Sequence, residues 1–175
     1  RSQERTKQLS TGKGDPRYRI FLEGSEALRS FDHPQHIKAR DELEYLIKID
    51  PSFVNGIAML AALYGRQHLY GPHDQDDDFD AGERSLELAR RAIELRPESA
   101  FAYQILFAIL FFRHDVAAAF AAGDKALARN RYDTTLQGDY AGRLIMIGEV
   151  KRGMEMLART ADFGVVRLSW YHFYF

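Results

Sequence analysis

Residues 100–132 read AFAYQILFAILFFRHDVAAAFAAGDKALARNRY, and this stretch decides the fold. It holds two apolar runs of helical period, Ala102 to Phe112 and Val116 to Ala128, parted by a short polar break. Tyr103, Leu106 and Phe107 fill the first run, and Ala119 and Ala126 take small-residue places in the second. Where two helices cross, only Gly or Ala lets the axes come close, and the large residues beside them fill the remaining groove. The stretch is therefore a helical hairpin.

The same pattern extends in both directions. Upstream, Ile57, Leu60, Ala61 and Tyr64 precede a long polar interruption, after which Leu86, Ala89, Ala92 and Ile93 lead to Pro97. Earlier still, Ile20, Ala27, Leu28 and Phe31 run up to Asp32-His33-Pro34, and Ala39, Leu43, Leu46 and Ile47 follow as far as Asp50-Pro51. Downstream, Gln137 to Ile147 and Val150 to Ala161 carry Ala141, Leu144, Gly148, Gly153 and Leu157. No segment alternates with the period of a strand, so the expected class is all-α. Asp80 followed by Glu83 reads as a capping box, Asp115 and Asp133 as caps, and Pro51 and Pro97 as stops placed about two residues after a helix.

Hairpins of about 34 residues, with small residues at set places and a closing proline, resemble the tetratricopeptide repeat. Tyr64 stands where that family has its tyrosine, Gly24 and Ala39 are small-residue positions of the first copy, and Arg131 replaces the closing proline of the third. The resemblance covers residues 18–165 as about four hairpins, the second carrying an insertion at 66–80. It places a linker at 1–17 and the start of a truncated repeat at 166–175. It implies an α-solenoid of antiparallel hairpins in a right-handed superhelix. In this family the first helix of each hairpin lines the concave surface, which implies that Asn55, Arg66, Phe101, Gln104 and Phe111 face a partner. More narrowly, Tyr18 to Gly24, the turn around Tyr70-Gly71 and Trp170 to Phe173 resemble the repeat region of bacterial adenylate-cyclase-like and winged-helix regulatory proteins. That likeness implies a signalling parent with its effector domain, a nucleotide cyclase for instance, outside this chain. The start at Arg1 and the aromatic end are expected of a piece of a longer protein.

Composition narrows the function classes. The formal net charge of -1 gives no general attraction for a polyanion, so direct nucleic-acid binding is not expected. The absence of cysteine removes disulfides, thiolate metal sites and a cysteine nucleophile, which fits a cytoplasmic protein. The longest apolar run, Ile105 to Phe112, is far short of the roughly twenty residues that span a bilayer.

Asp76, Asp78, Asp80 and Glu87 match much of a calcium loop, but its sixth place is Ala81 where glycine is required. A solvated acidic loop with Asp80 as helix cap is the better reading. The six histidines are scattered without the i, i+4 spacing of a helical zinc site, and Gly12-Lys13-Gly14 lacks the spacing of a phosphate loop. No cofactor and no catalytic centre are expected. The expected function is a protein or peptide interaction module. Self-association through Trp170, Tyr171, Phe173 and Phe175, giving a homodimer, is the alternative, and a divalent-metal-responsive domain the remote third.

Overall fold

The computed structural model describes residues 15–30, 32–70 and 80–161. Their order is α1 (Pro16–Arg29), α2 (His33–Ile49), α3 (Val54–Tyr70), α4 (Ala81–Leu95), α5 (Ala100–Phe112), α6 (Val116–Arg129), α7 (Thr134–Met146) and α8 (Val150–Ala161), with no strand among the described residues. Two compact units divide between Leu95 and Arg96. Among the described residues no helix is long and apolar enough to cross a membrane.

The helix starts follow from the need of the first N–H groups for acceptors. Asp80 Oδ1 accepts from the amides of Gly82 at 2.8 Å and Glu83 at 3.1 Å; Asp115 accepts from Ala118 at 3.2 Å and Asp133 from Leu136 at 3.0 Å. Asp32 and Ser99 cap α2 and α5 in the same way. Helices α2 and α4 end at Ile49 and Leu95, two residues before Pro51 and Pro97, because a residue preceding proline leaves the helical region.

Two element boundaries differ from the sequence expectation. Helix α1 begins at Pro16, inside the stretch read as linker, since Asp15 accepts from the Arg17 amide at 2.9 Å and proline suits the first helical turn. Helix α3 runs on to Tyr70, so Arg66 to Tyr70, expected between the two helices, are themselves helical. Arg66 donates to the carbonyls of Leu28 and Ser30, the latter at 2.7 Å, and Gln67 accepts from Arg40 at 3.0 Å, so the extra turn is tied to α1 and α2.

In the first unit α1 pairs with α2, α3 packs on both, and α4 returns along α3. Gly24 of α1 makes the close approach possible: a Cβ there would stand 2.7 Å from Met59 Cγ on α3. Leu43, Ile57, Leu60, Leu63 and Leu88 are fully buried in the core of this unit. The buried Ser85 hydroxyl donates to the Ala61 carbonyl at 2.6 Å and fastens α4 to α3.

The second unit repeats the design with α5–α6 and α7–α8 as hairpins and α7 against α6. Phe107 sits at its centre with ring centroids 5.3 Å from Phe120 and 5.4 Å from Tyr140. Gly123 admits the Tyr140 ring, 2.9 Å from where a Cβ would be. Both units use one cross-hairpin link, a tyrosine on a first helix donating to a carboxylate on the preceding second helix. Tyr64 donates to Glu44 at 2.9 Å, and Tyr140 donates to Asp124 at 2.7 Å. The turns between hairpin helices also match: His114 and Gly148 both take positive φ, 63° and 90°, at corresponding places. The recurrence of caps, links and turns is that of a repeat built from one hairpin.

Candidate interaction surface

In the second unit the first helices of consecutive hairpins, α5 and α7, are joined by Gln104 Nε2 donating to Asp139 Oδ2 at 3.0 Å. Both side chains are half-buried, and this polar bridge marks the face the two helices share. One turn further along α7, Arg143 is only 4% exposed, its Nη1 donating to the Asp139 carbonyl at 3.0 Å and lying 3.9 Å from Oδ2 of the same residue. Its guanidinium carbon lies 4.7 Å from the ring centre of Phe107, 5.6 Å from Phe111 and 5.8 Å from Phe112. A cation held on aromatic faces in a water-poor place is attracted by the ring quadrupoles.

Of the expected contact residues in this unit, Gln104 lies on the polar bridge and Phe101 is half-buried on α5. Phe111 does not face outward: it is buried, edge-on to Phe112 at 5.7 Å and to Phe120 at 6.4 Å, with Arg143 over it. The apolar run around α5 leaves one side of the helix to the hairpin core, and Phe111 falls on that side.

The other two expected contacts belong to the first unit. Asn55 is half-buried in the first turn of α3, and Arg66 is drawn to the carbonyl end of α1. A guanidinium satisfying the last carbonyls of a neighbouring helix is a packing device. Near it, His36 of α2 is 7% exposed and its Nε2 has no hydrogen-bond partner among the described residues. Burial first, then the nearby charges of Arg66, Arg40 and His33, push its pKa down to about 4. Along the outer side of α1 and α2 runs an open groove of about 910 Å³ lined by Ile20, Pro34, Ile37 and Tyr45, with Lys38 and Asp41 beside them.

For the calcium reading, Asp76 and Asp78 lie outside the described residues. Asp80 is occupied as the α4 cap, and Glu87 is exposed on α4 and paired with Arg84 at 2.9 Å. Among the described residues no three His, Asp or Glu side chains gather as metal ligands. Trp170, Tyr171, Phe173 and Phe175 likewise lie outside the described residues, as do 1–14 and 166–175.

Sequence reasoning missed Asp139 and Arg143. A signal existed: counted from the caps Ser99 and Asp133, Arg143 occupies the place that Ile109 takes in α5, so a charge stands in an apolar register.

No family model matches the chain, and no curated protein matches it. Solved structures do. One, described as the crystal structure of MamA, aligns with a TM-score of 0.54 at 21% identity over 74% of this chain and 68% of that one. A second, of MamA protein, aligns with the same TM-score at 19% identity over 89% of this chain and 81% of that one. MamA is a tetratricopeptide-repeat protein, and the likeness establishes the helical-hairpin repeat fold for this chain.

Proposed function

We propose that this chain is a non-catalytic interaction module whose working surface, in the second unit, is the face shared by α5 and α7. The observation that carries the reading is the Gln104–Asp139 bridge, which links the first helices of two consecutive hairpins through half-buried polar side chains. Rigid helices supported by a packed second row present side chains at fixed spacing, which lowers the ordering cost of binding. The partner is a protein or a peptide. Gln104→Ala and Asp139→Ala should each reduce the amount of partner retained from a source-cell lysate by immobilised chain, while leaving the helical spectrum unchanged. Retention equal to the parent in both variants would remove the face from the account.

A finer reading makes the chain the regulatory repeat region of a cyclase-like or winged-helix signalling protein. Its support is the resemblance of Tyr18 to Gly24 to such regions, and sequencing the gene on both sides of this stretch tests it. Self-association is the second reading. Exposed Tyr18, Tyr45 and Ile49 on the first hairpin favour it, since exposed large apolar side chains favour burial against a second copy. Light scattering across a concentration series, with and without residues 170–175, separates the cases. A dimer that becomes a monomer on truncation assigns assembly to the aromatic end, a dimer in both forms assigns it elsewhere, as the first hairpin's exposed residues favour, and a monomer in both forms leaves partner capture alone.

A further inference from the structure

We infer that the groove along α1 and α2 receives the aromatic segment Trp170 to Phe175 of a second copy of this chain. This rests on the self-association reading and gives it two different surfaces, a groove on one copy and a segment on the other. The groove is open, about 910 Å³ in volume, and its apolar lining is Ile20 of α1 with Pro34, Ile37 and Tyr45 of α2. Positions 34, 37, 41 and 45 recur at helical spacing, so it follows α2 for three turns, about 16 Å. Ile37 is 36% exposed and Tyr45 61%, so apolar surface in the groove stands open to water, as at a place of association.

The charges at the rim are already matched. Arg19 lies 2.6 Å from Glu23, Lys38 3.8 Å from Glu42, and Asp41 3.0 Å from Arg40. A rim so paired selects its occupant by apolar fit rather than by charge, and the core of such a contact is poor in charge and rich in aromatic side chains. Of the longer stretches outside the described residues, one has that chemistry. Residues 168–175 read LSWYHFYF, without Asp, Glu, Lys or Arg. Residues 1–14 are charged at Arg1, Glu4, Arg5, Lys7 and Lys13 with Leu9 as their one large apolar side chain, and 71–79, GPHDQDDDF, is acidic. Tyrosine and tryptophan suit an open groove, because the ring is buried while its polar end keeps to the wet rim. In a repeat array a hairpin contacts only its neighbours in sequence. The segment follows the fourth hairpin and the groove belongs to the first, so the groove takes the segment from another copy.

Trp170 is the sole tryptophan of the chain, so its fluorescence reports where the segment goes. The reporter is the full chain with Ile37→Asp and Tyr45→Asp, which keeps the segment and spoils the groove. Both positions are exposed on α2, so its helical spectrum and melting temperature should match the parent's. Should the pair unfold the chain, Tyr45→Lys alone, at the more exposed position, takes its place throughout. The reporter is titrated with the full chain carrying Trp170→Ser, Tyr171→Ser, Phe173→Ser and Phe175→Ser, which keeps the groove and has no tryptophan. The expected result is a saturable blue shift of the emission. Half-saturation should need at least about tenfold more titrant when that titrant also carries Ile37→Asp and Tyr45→Asp. Equal shifts with the two titrants, or none with either, overturn the inference. Light scattering of the parent then tells which reading has failed. A parent that still associates keeps self-association and moves it to another surface, whereas a monomeric parent removes both. A monomeric parent whose emission moves to the red on Ile37→Asp places the segment in the groove of its own copy, which also overturns exchange between copies.

Discussion

Gly153→Ala, set against Gly142→Ala, tests the packing logic on which the hairpin reading stands. Both glycines lie within helices of the fourth hairpin, α8 and α7, so on an isolated helix each replacement would stabilise by about 1 kcal/mol through backbone entropy. Their surroundings differ. A Cβ at Gly153 would stand 2.7 Å from the backbone oxygen of Ala141 and 2.5 Å from Ile145 Cγ1, whereas at Gly142 nothing lies within 4 Å. The isoleucine can turn aside, but the carbonyl belongs to the α7 ladder and moves only if the two helices part. Forcing a methyl group against a backbone atom costs about 2–3 kcal/mol, the upper part of the overpacking range, which outweighs the propensity gain. The expected outcome is a loss of about 1–2 kcal/mol for Gly153→Ala and a gain of about 0.5–1 kcal/mol for Gly142→Ala. In a chain of this length each kcal/mol moves the melting temperature by about 2–4 °C. Far-UV circular dichroism during thermal and urea unfolding reads both. A Gly153→Ala variant as stable as its parent, or the two variants in reversed order, would refute the close crossing of α7 and α8.

Four further outcomes are expected. His114→Gly should stabilise by about 1 kcal/mol in urea unfolding, because His114 holds a φ of 63° at the turn where the next hairpin uses Gly148. Tyr140→Phe should lose about 1 kcal/mol, since the hydroxyl's bond to Asp124 goes while that exposed carboxylate regains water. In a spectrophotometric titration Tyr64 should ionise only near pH 12, held up by burial and then by its bond to Glu44, with Tyr140 raised for the like causes. Stability should also depend on His36: below pH 6.5 the unfolded chain takes up a proton that the folded chain refuses until about pH 4. Stability then falls as pH drops through that window, by up to about 1.4 kcal/mol per pH unit, and is flat in this respect at neutral pH. His36→Gln should flatten that part of the profile; an unchanged slope would mean another group carries it.

The helical repeat was legible because the small and large residues obey geometry that sequence spacing records directly. Gly24, Ala39, Ala119 and Ala141 mark crossings, and Asp80, Asp115 and Asp133 mark starts, each through chemistry confined to one or two helical turns. The candidate surface was less legible because it depends on partners far along the chain. Phe111 looked outward on a helix apolar all round, yet its ring lies against Phe120 and under Arg143. Arg66 read as a groove residue, but the α1 carbonyls that take it are brought there by the fold alone. Register alone puts Gln104 on the first-helix face, while its acceptor Asp139 sits a whole hairpin away. Local rules assign faces to helices; they do not say which polar groups meet between them.

The most direct test of the central claim is photo-crosslinking in source cells with benzoylphenylalanine placed at Gln104 or Asp139, and at exposed Lys125 on α6 or Arg90 on α4 as controls. The account predicts a discrete protein adduct from positions 104 and 139 and none from 125 and 90. Adducts of equal yield from all four positions, or from the control positions alone, would contradict it.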